Sequence, residues 1–479
     1  MVEDPKWNTW AVPVLNGQPR PWLANASGLV WLDKQRLLFS EIKNDVHMGI
    51  VRSEENRAEA HEVYLPPSER GMAHRSYPSL DGKWVLLAEM DRALWLPCRV
   101  VPLDGSSAGR IVGPPGAGCT FAAWSPDGRW MYFSSSAGGT FHTWRQRFPD
   151  GVPERITTGL TEEEGIAMAP DGHSFITAVA LRQSSVWIQG PDGDRQISLE
   201  GYAFDPKFTP DGKKLCYRIL KGAALTDTSE LHVAELESGH NEPLLPGLAV
   251  SGPPGLTYDI SADGQRVVAA AKDGEGKRNL WLVALDRQSP PRPIPNAEGD
   301  MPLFGAAGEV FFRGFEGSSA FGYRVRQDGT GLQRVINQPI AGPTGISQDG
   351  QWLIAKVAAE EGFGSRHMAF PVSGGNPVRL IRSFYDMHFL SSANGRLMFI
   401  SSGSPTLGGA PGHTYVVPLP PGRMLPPIPE RGFPSEADLA KFPGVRVIDG
   451  YDVAPGPAPD MYAYSRQTVQ RNLYRIPIP

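Results

Sequence analysis

Short apolar segments recur along the chain, and each of them directly follows a tight turn. Residues 124–136, WSPDGRWMYFSSS, show the order: turn residues lead into a run of aromatic and aliphatic side chains. The same order is found at KWVLLAE (83–89), KKLCYRI (213–219) and QWLIAKV (351–357). Runs of this length, enriched in aromatic and β-branched residues and bounded by turn residues, predict β-strands.

The turn before each strand has a physical basis in its residue types. Pro126 sets φ near the value that the second turn position needs, and Asp127 offers a carboxylate to nearby backbone N–H groups. Gly128 accepts a positive φ because it has no Cβ atom. The motif therefore predicts a hairpin between the strand that precedes it and the strand that follows it.

Copies of this Asp-Gly turn recur at a nearly constant spacing. Successive copies lie 40 to 52 residues apart, except for one interval of 86 residues that predicts a copy without the Asp near residue 306. Two further strand-like runs follow each turn, which predicts four strands in each repeat. The residues assigned to these structural turns are Asp81, Gly82, Asp127, Gly128, Asp171, Gly172, Asp211, Gly212, Asp263, Gly264, Asp349 and Gly350.

A period of about 40–45 residues with four strands predicts an all-β chain, a β-propeller of about ten four-stranded blades. Single rings hold about four to eight blades, which favours two tandem propellers, with one large ring closed by the N- and C-terminal strands as the alternative. A Pro- and Gly-rich segment (241–255) suggests halves of 1–245 and 246–479. Blades are expected to start near residues 28, 73, 118, 163 and 203, and near 256, 299, 342, 385 and 445.

One segment departs from the strand pattern. PSEADLAKF (434–442) lies in a Pro-rich stretch and predicts a short helix. Ser435 is the expected N-cap, and the acidic Glu436 and Asp438 fall in the first turn, where the helix dipole favours negative charge.

The repeat resembles a known family of propeller repeats. The x-P-D-G turn, the strand after it and third strands such as NLWLVAL (279–285) resemble the WD40-like repeats of TolB-type β-propellers. Similar repeats occur in propellers of tricorn and dipeptidyl peptidases and in sensor regions of bacterial receptor-like Ser/Thr kinases. The resemblance implies a propeller fold and a binding, sensor or interaction role in a bacterial envelope or signalling system.

Composition narrows the classes of partner and compartment. The net charge of −5 does not favour a nucleic acid. The sequence has no apolar stretch of the roughly 18 residues that a membrane span needs, so we expect no membrane insertion by this chain. MVEDPKWNTW lacks the basic and apolar regions of a signal peptide. We expect a soluble chain, periplasmic or extracytoplasmic as part of a longer membrane-anchored protein. Cys98, Cys119 and Cys216 are interpreted as buried thiols.

The motifs for catalysis and metal binding do not fit their required contexts. GSSAG (105–109) matches G-x-S-x-G, but it lies between two predicted strands, whereas a nucleophile elbow needs a strand before it and a helix after it. The turns resemble the sialidase Asp-box only weakly, because Gly follows Asp directly. P-loop, HExxH, CxxC and EF-hand patterns are absent from the sequence. We therefore expect no catalytic residue, no metal and no cofactor.

The loops that enter the first strand of each blade are the predicted binding surface, because these strands line the channel of a propeller. We expect a non-catalytic module that binds a peptide, a protein or a small ligand at this channel face. The alternatives are a propeller hydrolase or lyase with a channel-centred polar or metal site, and a structural scaffold. Polar residues at these entries are also compatible with simple solvation. The candidate ligand-binding residues are His74, Arg75, Tyr77, Glu164, Tyr202, Asp205, Tyr258, Asp259, Asp300, Tyr385, Asp386 and His388.

Overall fold

The structure is a computed structural model of the 479-residue chain. It describes residues 7–478 except for 16, 45, 92–93, 160, 222–227, 251, 253–254, 273–276, 318, 359–364, 384 and 404–411. Three positions of the expected 241–255 linker, 251, 253 and 254, thus lie outside the described residues. The chain divides into one compact unit of residues 1–182 and 469–479 and a second of residues 183–468. The expected boundary at 245/246 falls inside the second unit, and the number of rings and blades stays a prediction.

The first unit consists of antiparallel strands in consecutive four-stranded blades, preceded by a separate pair, β1 with β2. The long strand β17 contributes residues to both units, as does the last strand of the chain. The strands up to β17 are β1 (Thr9–Ala11), β2 (Arg20–Leu23), β3 (Ser27–Trp31), β4 (Arg36–Asn44), β5 (His47–Glu54), β6 (His61–Tyr64), β7 (Gly71–Pro78), β8 (Trp84–Asp91), β9 (Leu94–Trp95), β10 (Arg99–Pro102), β11 (Arg110–Ile111), β12 (Cys119–Trp124), β13 (Trp130–Ser135), β14 (His142–Arg147), β15 (Glu154–Arg155), β16 (Glu162–Met168) and β17 (Ser174–Gly190).

The second unit repeats the same antiparallel meander, and the copy inferred near residue 306 is present as β28 to β31. The strands after β17 are β18 (Gly193–Gln196), β19 (Tyr202–Phe208), β20 (Lys214–Leu220), β21 (Ser229–Glu235), β22 (Asn241–Pro243), β23 (Ala249–Val250), β24 (Tyr258–Ile260), β25 (Arg266–Lys272), β26 (Arg278–Ala284), β27 (Arg292–Glu298), β28 (Asp300–Phe304), β29 (Val310–Glu316), β30 (Ser319–Val325), β31 (Gln333–Ile336), β32 (Gly342–Ile346), β33 (Trp352–Ala358), β34 (Ser365–Pro371), β35 (Val378–Ser383), β36 (Asp386–Ser391), β37 (Leu397–Gly403), β38 (His413–Pro418), β39 (Arg446–Asp449), β40 (Ala454–Pro455) and β41 (Tyr462–Pro477).

The C-terminal strands pair differently from the meander before them. β39 is the outer strand next to β38, β40 pairs with β41, and β41 pairs with β17, which also pairs with β18. The first strand after β39 therefore begins at Ala454, later than the expected start near residue 445.

The predicted short helix is confirmed as α1 (Glu436–Ala440). Ser435 is its N-cap: its Oγ accepts a hydrogen bond from the backbone N of Asp438 at 3.3 Å. Leu439 is buried in a cluster that includes Phe433 and Leu380, so the helix is held by packing as well as by its cap.

Apolar side chains of one blade pack against those of the next blade. Leu86 and Ala88 of β8 share a buried cluster with Trp124 of β12 and with Met131 and Phe133 of β13. Val268 and Ala270 of β25 likewise share a cluster with Phe304, Val310 and Phe312 of the next blade. Each sheet thus has an apolar face that only a neighbouring sheet removes from water, which is the main source of stability in such an array.

The Asp-Gly turns are closed by short-range hydrogen bonds. The Oδ1 atom of Asp127 accepts from the backbone N of Arg129 at 3.0 Å, and Ser125 Oγ donates to the same carboxylate. Ser125 Oγ in turn accepts from the backbone N of Trp130 at 2.9 Å. Hydroxyl-to-carboxylate bonds of this kind recur at Ser79–Asp81, Thr209–Asp211, Ser261–Asp263 and Ser347–Asp349.

A disulfide joins Cys98, just before β10, to Cys119, the first residue of β12. The expectation of three buried thiols is therefore wrong for this pair, which lies in two consecutive blades. The sequence could not pair them, because their proximity depends on how the two blades stack. Cys216 is a buried thiol, and burial raises its pKa to about 12.

Replacing Gly128 with Ala should lower the stability of the first unit by about 1 kcal/mol. Gly128 has φ +69°, and a Cβ atom would meet no neighbour within 4 Å, so the cost comes from the backbone conformation alone. Thermal unfolding measures the loss. Gly128→Asn is the control and should lose less, because Asn tolerates a positive φ. An Ala variant as stable as wild type would contradict the positive φ of Gly128 in this turn.

Thiol titration should find one reactive cysteine per chain in denatured protein that was purified from an oxidising compartment. That thiol is Cys216, and it should be unreactive before denaturation because it is buried. Reduction before denaturation should raise the count to three. A count of three without reductant would show that Cys98 and Cys119 are not bonded.

Candidate functional site

A fully buried arginine lies at the centre of a charged network in the second unit. Arg218, in the middle of β20, is 0 % exposed, and its Nη1 atom lies 3.4 Å from Oδ2 of Asp205. The same nitrogen donates to Thr257 Oγ1 at 3.0 Å and to the carbonyl of Gly252 at 3.1 Å, and Nε donates to Ser229 Oγ at 2.8 Å. A buried guanidinium held by this many oxygen atoms is fixed in position.

Asp205 occupies an irregular position in the first strand β19. Its φ is +59°, and the pairing of β19 with β20 shifts register between Phe204 and Lys207, which marks a β-bulge. Its Oδ1 accepts from the backbone N of Gly255 at 2.7 Å, and its carbonyl accepts from the hydroxyl of Tyr258 at 2.6 Å. These contacts stabilise a backbone conformation that is otherwise unfavourable for a non-glycine residue.

A second carboxyl group, that of Asp452, completes the network. Its Oδ2 accepts from the backbone N of Asp205 and from Ser465 Oγ, the latter at 2.7 Å. Burial raises the pKa of Asp452 to about 8, and the neighbouring charge of Asp205 acts in the same direction. Asp452 therefore holds a proton at neutral pH, so one guanidinium faces one carboxylate and the buried network is neutral.

A small cavity lies next to this network, at the end of the first strands that carries the turns and not at the entry loops that the sequence predicted as the binding surface. We call it the channel cavity, after the channel expected between first strands. It has a volume of about 160 Å³ and is lined by first-strand residues and by the turns that follow them. Lys207 stands at its wall and is 6 % exposed; Nζ donates to the carbonyl of Tyr258 at 2.7 Å and to Asp259 Oδ1 at 3.1 Å. The other oxygen of Asp259, Oδ2, accepts from the backbone N of Phe304 at 2.9 Å. The lining residues are Lys207, Phe208, Thr209, Pro210, Asp259, Ile260, Leu390, Ser391, Ala393, Ala454, Pro455, Gly456 and Pro457.

His388 is a neutral packing residue. Burial lowers the pKa of its imidazole to about 3, and its ring contacts that of Tyr451 edge to face at 5.2 Å. A Cβ atom on Gly255, which has φ +79°, would lie 2.8 Å from the His388 ring. The position therefore requires Gly both for its backbone conformation and for space.

The second unit brings four of the predicted binding residues together and leaves others apart. Asp205, Tyr258, Asp259 and His388 lie in or beside the network. Asp300 is buried in ion pairs with Arg278 and Arg313. Three predicted residues of this unit remain. Asp386 pairs with Lys356, Tyr385 is exposed, and Tyr202 packs against Phe204.

In the first unit the predicted residues are packed against aromatic rings or paired. The ring of His74 contacts those of Trp7 and Trp95, and burial lowers the pKa of His74 to about 4. Arg75 stacks on Phe121 at 3.7 Å and donates to the carbonyl of Thr120. Tyr77 accepts at its carbonyl from Trp124 Nε1, and Glu164 pairs with Arg471 at 3.2 Å.

A hydroxyl, an imidazole and a carboxylate form a row in the first unit. Thr140 Oγ1 lies 2.9 Å from His142 Nε2, and His142 Nδ1 lies 2.8 Å from Glu163 Oε2. Thr157 Oγ1 also donates to Glu163 Oε2 at 2.7 Å. Because Thr140 is only 6 % exposed, this row ties strands together and does not present a nucleophile.

Four residues of the second-unit site were missed in the sequence: Lys207, Arg218, Tyr451 and Asp452. A signal for two of them was present. Tyr-Asp pairs occur at 258–259, 385–386 and 451–452, and the first two pairs are among the predicted binding residues whereas the third is not. Nothing in the sequence distinguished Arg218, because a lone arginine in a second strand reads as an exposed side chain.

The other sequence motifs lie in unexceptional places. GSSAG (105–109) forms the turn between β10 and β11, where Ser107 Oγ accepts from the backbone N of Gly109. Within the described residues, His, Cys, Asp and Glu form no group of three suited to a metal ion. The described part of the chain also has no helix long and apolar enough to cross a membrane.

Comparison with solved structures finds similarity to propellers of the TolB type. No family model and no curated protein sequence matches it. A putative TolB from Agrobacterium tumefaciens is 17% identical with a TM-score of 0.45, over 60% of this chain and 99% of that one. TolB from Acinetobacter baumannii is 14% identical with a TM-score of 0.38, over 73% and 77%.

A puromycin-hydrolyzing peptidase from Mycobacterium tuberculosis is also similar, at 14% identity and a TM-score of 0.32, over 79% of this chain and 57% of that one. The strand pattern confirms the expected all-β fold, and the predicted resemblance to TolB-type and peptidase propellers is confirmed as a resemblance.

Asp452→Asn should flatten the pH dependence of stability. The folded pKa of about 8 lies above the 3.8 of an unperturbed Asp, so the folded state holds a proton that the unfolded state has lost. This contribution is complete below about pH 4 and disappears as the pH rises to about 8. Between those values, thermal midpoints should fall more steeply for wild type than for the variant. Asp460→Asn, at an exposed position, is the control and should follow wild type. Equal slopes for wild type and Asp452→Asn would contradict the protonated state.

Proposed function

We propose that the second unit is a non-catalytic binding propeller that receives the carboxylate end of a peptide or protein partner in its channel cavity. The observation that carries this proposal is Lys207, an almost buried ammonium group at the wall of that cavity. Burying an ammonium group costs free energy unless it has hydrogen-bond acceptors. At the cavity wall, the N–H groups of Lys207 can donate to a ligand that enters the cavity.

The donor capacity of Lys207 supports an anionic or carbonyl-bearing guest. Two of its three N–H groups have acceptors among the described residues, Tyr258 O and Asp259 Oδ1. Each oxygen of the Asp259 carboxylate accepts one hydrogen bond, Oδ1 from Lys207 and Oδ2 from the backbone N of Phe304. One ammonium N–H is thus left for a ligand, and a carboxylate oxygen is the strongest acceptor that a peptide offers.

The size of the cavity supports a chain end as the guest. Pockets for free small molecules measure about 300–1,000 Å³, whereas this one has about 160 Å³. A single terminal residue fits such a volume, and the rest of the partner would remain outside, on the face that carries the turns at Thr209–Pro210 and Ala393.

The buried network behind the cavity supports a rigid site. Tyr258 connects the two, because its carbonyl accepts from Lys207 while its hydroxyl donates to the carbonyls of Asp205 and Cys216. Lys207 is therefore held before a ligand arrives, which reduces the entropy lost on binding.

We further propose that the protein works in an oxidising compartment, as an interaction or sensor module of a bacterial envelope or signalling system. The Cys98–Cys119 disulfide supports this location, because such bonds persist mainly outside the cytoplasm.

The test uses a fluorescein-labelled hexapeptide library of random sequence, made once with a free C-terminal carboxylate and once with an amide. The free-acid library should be retained by wild-type protein and the amide library should not. Ala393→Trp should abolish retention, because Ala393 is an exposed residue that lines the cavity and a large ring there fills it.

Ala262→Trp is the matched control. Ala262 is exposed and occupies the corresponding position of another turn, SADG against SANG, but it does not line the cavity. It should retain the peptides as wild type does. Equal retention of both libraries, no retention of either, or the same loss in both Trp variants would each reject the proposal.

A further inference from the structure

We propose a second binding site in the second unit, for an acidic segment of a partner polypeptide, in a groove between two neighbouring blades. The groove has a volume of about 830 Å³ and lies between the blade of β25 to β27 and the blade of β29 to β31. We call it the arginine groove, after Arg266, Arg292, Arg324 and Arg326 in its lining. It shares no residue with the channel cavity, so this proposal goes beyond the function proposed above.

Within the described residues none of the four guanidinium groups forms a salt bridge, although the charges of Arg266 and Arg326 help to lower the pKa values of Asp263 and Asp328. Those with side-chain hydrogen bonds make them to neutral groups: Arg266 to Gln327 Oε1 at 2.6 Å, Arg324 to Gln333 Oε1 at 2.7 Å and Arg326 to Thr330 Oγ1 at 3.4 Å. Arg266, Arg292 and Arg326 are exposed, and Arg324 is half-buried. Their charges are therefore available to a ligand.

The two acidic residues of the groove are engaged by their own turns. Glu309 Oε2 accepts from the backbone N of Ala307 at 3.1 Å. Asp328 Oδ1 accepts from the backbone N and the hydroxyl of Thr330 at 2.9 and 2.7 Å, and these bonds lower the pKa of Asp328. The lining thus has two more cations than anions, in a chain whose net charge is −5. A local positive surface on an acidic protein attracts an acidic partner.

The lining favours a peptide over a phosphate polymer. Pro290, which is exposed, and Ala284, which is half-buried, line the groove and provide an apolar surface for side chains. Gln327 is bonded at both amide atoms, to Arg266 and to the carbonyl of Gly308, but Gln333 also lines the groove and its NH2 group can donate to a main-chain carbonyl. Guanidinium forks match the planar carboxylates of Asp and Glu in pairs of parallel hydrogen bonds. A nucleic acid needs a longer basic stripe, which the net negative charge of the chain does not favour.

The probe is a fluorescein-labelled decapeptide of alternating Glu and Ala, with a decapeptide of alternating Gln and Ala as its neutral counterpart. Fluorescence anisotropy should show binding of the Glu peptide to wild-type protein, weakened by added salt. The double variant Arg292→Glu/Arg326→Glu should lose affinity by about tenfold or more, because both charges at the rim are reversed. Both side chains are exposed, so the thermal midpoint should not change.

Arg396→Glu is the matched charge-reversal control. Arg396 is exposed and follows an Asn-Gly turn just before a strand, much as Arg266 lies just after an Asp-Gly turn, but it is not part of the groove. It should bind as wild type does, and so should Ala393→Trp, which blocks only the channel cavity. Ala393→Trp separates the two proposals, because it should abolish binding at the channel cavity and leave binding at the arginine groove unchanged.

Several results would overturn the arginine groove as a peptide site. The Glu peptide failing to bind, the Gln peptide binding equally well, or Arg396→Glu losing as much affinity as the double variant would each do so. Heparin or vesicles containing phosphatidylglycerol are the remaining probes. If either bound through Arg292 and Arg326 more tightly than the Glu peptide, the groove would be a site for a polyanion or a lipid surface instead.

Discussion

The fold depends on the burial of blade faces against one another. A four-stranded meander has two faces, and a single blade leaves at least one apolar face in water. Leu86, Trp124 and Phe133 belong to two blades but to one buried cluster, and the same is true of Val268, Phe304 and Phe312. The apolar contacts are therefore nonlocal in the chain even though every hairpin is local. This arrangement holds the strands of neighbouring blades in place.

The same packing explains how the second unit keeps a buried charged centre. Arg218 and Asp205 come from one hairpin, β19 and β20, and Asp452 comes from a distant part of the chain; each would destabilise the core alone. Together they are neutral, because the pKa of Asp452 is raised and its proton is retained. The network also fixes Tyr258, through which Lys207 is positioned. A rigid interior thus supports a hydrogen-bond donor at the wall of the cavity.

Features that depend on residues close in sequence could be predicted from the sequence, and features that depend on contacts between strands or blades could not. Hairpins, repeat period and the α1 cap follow from residues close in sequence, and the expected fold and helix are confirmed. The Cys98–Cys119 bond and the burial of Arg218 depend on contacts between strands, which no local pattern reports. The Tyr451-Asp452 pair was recognisable by analogy with Tyr258-Asp259. It was overlooked because its blade was expected to start near 445, whereas its first strand begins at Ala454.

The aspartates of the repeated turns differ from those of the cavity and network in where their hydrogen-bond partners lie along the chain. In the turns, Asp127 and most of its equivalents accept from a hydroxyl two residues before and from a backbone N two residues after, so their lone pairs are used locally. Asp171, which follows Ala169 instead of a Ser or Thr, keeps only the backbone bond. Asp205, Asp259 and Asp452 instead find partners from distant segments, including Gly255, Phe304 and Ser465. A residue whose partners are local stabilises its own hairpin wherever it stands. A residue whose partners are distant depends on one particular arrangement of blades. Residues of this second kind form the buried network and the polar wall of the cavity, and the repeated turn residues do not.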